Sequence, residues 1–197
     1  MRQNKILKIF SKIPVLRTER LVLRGLRATD ASDMFEYAGK EPVTEYLLWS
    51  PHPSERFTRD YLRSIEDRYY IGDFFDWAVT LADSGKMIGT CGFTSIDFKN
   101  NSAEIGYVLN PEYHGQGYGT EAARRVVEFG FSTLELHRIE ARFMQGNDAS
   151  LHVMEKLGMK FEGYRRDLML VKGSFRTIGG CAILRDEFFS REDENIL

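Results

Sequence analysis

The sequence predicts an α+β fold: a mixed, mostly antiparallel sheet of about seven strands flanked by helices. Three observations lead there. Seven separate stretches carry the period-two or continuous apolar pattern of strands. Two helical stretches follow the first strand with no strand between them, which separates the chain from a simple βαβαβ repeat. One long amphipathic helix joins two strand patterns, a connection that places its strands parallel.

The first strand spans Val15 to Leu26, where Leu and Val alternate with Arg and Glu. Thr29 and Asp30 offer cap oxygens to a helix with Ala31, Met34, Phe35 and Ala38 on one face, stopped at Gly39. After the breakers Pro51 and Pro53, Ser54 caps a second helix that places Phe57, Tyr61, Leu62, Ile65 and Tyr69 at helical spacing. Strands at Phe75 to Ala82 and Lys86 to Phe98 flank the turn Asp83-Ser84-Gly85, and Ser102 to Asn110 completes a three-stranded meander. Pro111 ends it, and a glycine-rich loop opens the long helix with Ala122, Ala123, Val126, Val127, Phe131 and Leu134 on one side. A strand at His137 to Met144, a helix at Asn147 to Leu157, and a hairpin of Lys160 to Val171 with Ser174 to Leu184 close the order. Residues 1–14 read as an N-terminal extension, 15–188 as one domain without repeat or linker, and 189–197 as a polar, frayed tail.

Composition excludes classes without naming an activity. The 197 residues hold 27 Lys and Arg against 29 Asp and Glu, a net charge of −2. That balance argues against a nucleic-acid binder working by charge. A chain of this length buries roughly 70% of its unfolded surface, so a core needs neither metal nor disulfide. The two cysteines, Cys91 and Cys181, make no disulfide framework and suit a reducing cytoplasm. No apolar run approaches the roughly 20 residues that span a bilayer, so no membrane partner is expected. His52, His137 and His152 lack partners at ligand spacing, and no metal is expected either.

The informative stretch is NPEYHGQGYGTEAARRVVEFGF. Gly115, Gly117 and Gly119 stand between a strand end and a helix start. Without Cβ atoms the backbone there can approach a ligand and turn several N–H groups toward it, with the positive end of the helix dipole behind. This suits a phosphate or pyrophosphate. A Rossmann site requires Gly-x-Gly-x-x-Gly and an acid about 20 residues on, and the loop reads Gly-x-Gly-x-Gly. A P-loop requires Gly-Lys-Ser/Thr, and Gly119 is followed by Thr120-Glu121.

The loop His114-Gly115-Gln116-Gly117-Tyr118-Gly119 resembles that of the GNAT acyltransferases, which carry Arg or Gln, two residues, Gly, one residue, then Gly or Ala, and use acetyl-CoA. His114 stands at the position of the usual Arg or Gln. The resemblance runs from about Leu16 to Phe188. TERLVLRGLRATDA, EIGYVLNPEYHGQGYGTEA and NDASLHVMEKLGMKFEG resemble the RimJ/RimL type, which acetylates ribosomal-protein N-termini.

The resemblance implies a fold, an acetyl-CoA cosubstrate and site residues. Backbone groups of Gly115, Gln116, Gly117, Tyr118, Gly119 and Thr120, with His114 beside them, would hold the CoA pyrophosphate. Val108 and Leu109 would pair through their backbone with the pantetheine arm, and Asn147 would contact that arm. Glu104 would take the amine proton directly or through ordered water. Ser150 would lie near the sulfur as proton donor, with Tyr113, Tyr118 and Tyr164 as alternative acids. Transfer would be direct, without an acyl-enzyme. Arg124 and Arg125 would either touch the CoA phosphates or face solvent. Acceptor selection would fall to Trp49, Pro51, Tyr70, Phe74, Phe75 and the hairpin from Lys172 to Phe175. The expected acceptor is a primary amine, a protein N-terminus above all, for a cytoplasmic monomer or homodimer. A small-molecule amine acetyltransferase and a non-catalytic acyl-CoA-binding module are the alternatives.

Overall fold

A computed structural model describes residues 2–194. The elements in chain order are α1 (Arg2–Phe10), β1 (Leu16–Arg17), β2 (Leu21–Arg24), α2 (Ala31–Ala38), α3 (Glu41–Thr44), α4 (Glu55–Ile71), β3 (Phe75–Leu81), β4 (Met87–Asp97) and β5 (Ser102–Leu109). They continue with α5 (Tyr118–Ser132), β6 (Arg138–Met144), α6 (Asp148–Lys156), β7 (Lys160–Val171), β8 (Ser174–Leu184) and α7 (Arg185–Glu194). The expected α+β class holds: the strands form one mixed sheet in the order β1-β2-β3-β4-β5-β6-β8-β7.

The count is eight rather than seven because the first strand is broken. Thr18 turns the chain, its hydroxyl accepting from the Leu21 amide at 3.0 Å, and β1 folds back antiparallel on β2 with Leu16 opposite Leu23. Two short helices also depart from expectation. Glu41–Thr44 forms α3 where no periodicity is long enough to show. Arg185 to Glu194 forms α7, held by Phe188, which is buried against Phe131. The polar tail is thus helical through Glu194, and residues 195–197 lie outside the described residues. At the other end ordered structure begins well before Val15. Helix α1 buries Ile6 and Phe10, and a polar-looking segment becomes part of the core.

The chain gathers into two compact units. One contains the residues up to Gly92 together with Tyr107–Val126; the other contains Phe93–Gly106 and the chain from Val127 on. In the first unit α2 and α4 cover one face of the sheet through Met34, Tyr37, Leu62, Ile65, Tyr69, Ala78 and Met87. Ser54 caps α4 by accepting from the Phe57 amide at 3.2 Å, and Gly72, with φ of 83°, ends it. The opposite parity of β3 meets α1, with the Phe10 ring 4.8 Å from Phe75 and 5.4 Å from Trp77.

In the second unit β5 and β6 pair in parallel at Ser102↔Arg138, Ala103↔Ile139 and Glu104↔Glu140. Ala103 and Ile139 are buried, so Glu104 and Glu140 stand on the other face. β8 lies antiparallel between β6 and β7. Gly130 of α5 approaches so closely that an added Cβ would stand 2.8 Å from Ile139 and 2.9 Å from Phe93.

Candidate active site

The glycine loop belongs to the first unit. Asn110 is fully buried; its Oδ1 accepts the Glu112 amide at 3.2 Å, and its Nδ2 donates to Glu36 at 3.1 Å. Pro111 to Tyr113 then makes a single 3-10 turn. Gly115 and Gly117 adopt φ of 74° and 84°, the left-handed region that glycine enters without strain. Gly119 has ordinary backbone geometry, and a Cβ built on Gly115 or Gly119 would meet nothing within 4 Å. The loop is therefore open on its ligand side. Helix α5 starts at Tyr118, and its first intrahelical donor is Glu121, bonded to Gly117 O at 3.0 Å. The N–H groups of Tyr118, Gly119 and Thr120 precede that bond and face the positive end of the helix. These are the donors a pyrophosphate requires.

What holds the loop open comes from the first hairpin. Arg20 donates to Gln116 O at 3.0 Å and to Glu121 Oε2 at 2.7 Å, and its guanidinium lies 4.4 Å from the Tyr118 ring centre. Thr18 donates to the same Glu121 at 2.6 Å. Burial raises the Glu121 carboxyl, but the bonds from Thr18 and Arg20 together outweigh it and hold it below its usual range. Sequence reasoning missed this staple. Its signal was present in TER and GTEA, two short blocks whose mutual contact no local pattern reveals.

His114 is exposed, and its Nε2–H donates to Leu109 O at 2.9 Å. Its ring is thus bonded to the end of β5. The Val108 carbonyl is turned toward β4, against the Cβ position of Gly89, and its side chain packs on the core. Strand alternation then directs the Leu109 backbone away from β4.

The second unit holds the charged and hydroxylic candidates. Glu104 Oε2 lies 3.3 Å from Arg142 Nε, and Arg142 also pairs with Glu140 at 3.0 Å. Arg138 extends the chain of charges from Glu140, at 3.4 Å, to Glu162, at 2.5 Å. Burial pushes the Glu104 carboxyl above the usual range; Arg142 opposes the shift and Glu140 adds to it. Asn147 caps α6, its Oδ1 accepting the Ser150 amide at 3.2 Å, which places Ser150 in the first turn, half-buried.

The remaining candidates scatter. Tyr70 is 87% exposed and Phe75 packs on α1, whereas Trp49 lies 5.2 Å from His52 and Phe74 lies 5.4 Å from Tyr69, both on the α2 and α4 face. Pro51 is half-buried beside His52 in the chain. Lys172 to Phe175 form the β7–β8 hairpin tip. The Tyr113 and Tyr118 rings lie 6.3 Å apart at the loop, and Tyr164 packs on Phe161. Arg124 and Arg125 are half-buried. Among the described residues no group of three or more His, Cys, Asp or Glu could hold a metal ion, and no helix is long and apolar enough to cross a membrane.

Residues 20–160 match the acetyltransferase (GNAT) domain. The chain belongs to the GNAT acetyltransferase family. N-acetyltransferase p20 of Bacillus licheniformis is 33% identical over 173 residues, covering 88% of this chain and 97% of the relative. A GNAT acetyltransferase structure from Bacillus anthracis superposes with a TM-score of 0.78 at 29% identity, over 88% of this chain and 99% of that one. Two more distant relatives carry names that specify an acceptor. YdaF of Bacillus subtilis, named for ribosomal N-acetylation, is 27% identical over 86% of this chain and 94% of its own length. Spermidine N(1)-acetyltransferase of Escherichia coli is 24% identical over 85% of this chain and 88% of its own. This GNAT chain is an acetyl-CoA-dependent N-acetyltransferase. The open glycines and the free amides of the first turn of α5 fit the pyrophosphate of that cosubstrate.

Proposed function

We propose that this GNAT enzyme acts in the cytoplasm and acetylates the N-terminal amine of a protein, with ribosomal proteins as the leading class. The observation that carries the acetyl-CoA half of the reading is the stapled loop, with two left-handed glycines and unpaired helix amides. The acceptor half is supported by the likeness to YdaF. The thioester brings an activated acyl group; the chain's residues manage the protons. Glu104 takes a proton from the attacking amine, directly or through water, and a raised carboxyl is the better base for that step. As the C–N bond forms, the C–S bond breaks, and Ser150 supplies a proton to the departing thiolate. The Leu109 backbone and Asn147 align the pantetheine arm.

The relatives named for spermidine favour a second reading in which the acceptor is a polyamine. A thiol-release assay with acetyl-CoA separates the two. Peptides with free Ser or Ala N-termini are compared with spermidine, alongside mass spectrometry of ribosomal-protein N-termini incubated with and without the enzyme. Turnover on the peptides and new N-acetyl groups on ribosomal proteins are expected. Turnover on spermidine alone would replace the first reading by the second.

A further inference from the structure

Asp76 lies near the start of β3, ahead of the residues that pair with β2, and is half-buried. It shares its parity with Phe74 and Ala78, so its side chain stands on the face covered by α2 and α4, opposite the α1 face used by Phe75 and Trp77. Its surroundings leave room for it. On the neighbouring strand Thr90 bonds to the carboxylate, and at Gly92 an added Cβ would stand 2.7 Å from Asp76 Oδ1. Oδ1 also accepts the Trp77 amide at 3.0 Å.

Those two donors are all the compensation the carboxylate receives. Among the described residues no Lys, Arg or His forms an ion pair with it, and the ionisable groups its charge reaches are the phenols of Tyr37, Tyr61 and Tyr69 and the thiol of Cys91. None of these is a cation. Burial outweighs the two hydrogen bonds and pushes the carboxyl up to about 7. A half-buried carboxylate without a counter-charge is disfavoured, and such a group marks a candidate site for a cation. A second oddity lies in the same field. The Tyr37 hydroxyl is fully buried and has no hydrogen-bond partner. Tyr61 adds an aromatic wall: its ring lies 5.6 Å from His52, and the His52 ring is in turn 5.2 Å from Trp49.

We propose that Asp76 is the residue that recognises the acceptor, its carboxylate receiving the primary ammonium of the incoming amine on the face of β3 where its charge reaches Tyr37 and Tyr61. The assignment rests on the amine-acceptor reading above and adds to it a named counter-ion. It defines the acceptor class as a cationic primary amine, whether a peptide N-terminus or a polyamine. An uncharged amine surrogate, in contrast, gains nothing from Asp76.

Two measurements test it. In the thiol-release assay at saturating acetyl-CoA, Asp76→Asn keeps the shape and the Thr90 contact but removes the charge. Its KM for the accepted amine, spermidine or Ser peptide, is expected to rise at least tenfold, with acetyl-CoA affinity by calorimetry unchanged. The second measurement uses no turnover and no variant fold. In wild-type enzyme labelled with carboxyl-13C aspartate, spermidine and the Ser peptide are each added while the Asp76 resonance is titrated. The probe that is the acceptor is expected to move its midpoint to lower pH, because a bound cation favours the ionised form. An unchanged KM in Asp76→Asn overturns the proposal, as does a midpoint that neither probe moves. A wild-type enzyme that releases no thiol with any amine refutes the acetyl-transfer reading instead, and the resonance titration still decides the ammonium site.

Discussion

For Glu104 in its proposed role as general base, the pairing with Arg142 acts with a defined sign. Burial raises the Glu104 carboxyl, and Arg142, 3.3 Å away, opposes the rise. A general base works only when deprotonated, so kcat/KM climbs as pH rises through its pKa, and the raised value moves that acidic limb toward neutral pH. Arg142→Gln removes the opposing charge and leaves Glu140 pressing on Glu104. The limb is expected to shift further to alkaline pH, while Glu104→Gln abolishes it and lowers kcat by about 10²–10⁴-fold, the usual span for losing a general base. pH–rate profiles of the two variants check both statements. If Arg142→Gln leaves the limb in place, Glu104 is not the titrating base.

At the scale of elements, the loop and the staple separate backbone strain from ligand space. Gly117 has φ of 84°, so any side chain there strains the turn whether or not a ligand binds. Gly119 has no such constraint and open space where a Cβ would go. Gly119→Val is therefore expected to fold with nearly wild-type stability yet lose at least tenfold in acetyl-CoA affinity by calorimetry. Wild-type affinity in that variant would remove the pyrophosphate from this loop. The loop's position after a strand and before an amphipathic helix was legible from glycine spacing alone. Its anchoring by Thr18 and Arg20 was not, because those residues lie about a hundred positions from Glu121 in the chain.

On the scale of the whole molecule, the N-terminal helix shows how a short segment enters the core. The stretch MRQNKILKIF mixes Lys with Ile and Phe, and read alone it resembles a loose extension. A nine-residue helix is marginal in water, so its stability comes from what it covers. Phe10 is fully buried with Phe75 and Trp77 edge-on to it, and the Trp77 indole donates to Pro14 O at 2.7 Å. Phe10→Ala is expected to destabilise the protein by about 3–5 kcal/mol, the range for removing a buried aromatic. Urea unfolding followed by tryptophan fluorescence measures it, and a loss below about 1 kcal/mol would return the helix to the status of an appendage.

By itself the sequence determined the class of the fold, the order of its main strands and helices, and a loop suited to a pyrophosphate; the cosubstrate followed only from the resemblance to a family. The first three rest on local signals: period-two strands, a Ser54 cap, a glycine loop at a strand-to-helix junction. Tertiary structure alone decided which charges are compensated. Glu104 acquired Arg142 through the parallel pairing of β5 with β6, Glu121 acquired Arg20 from the first hairpin, and Asp76 acquired no cation among the described residues. The physical reason is that burial and ion pairing depend on which residues meet across the sheet. Spacing along the chain does not encode those meetings, and they set the electrostatics on which the proposed binding and deprotonation of the amine depend.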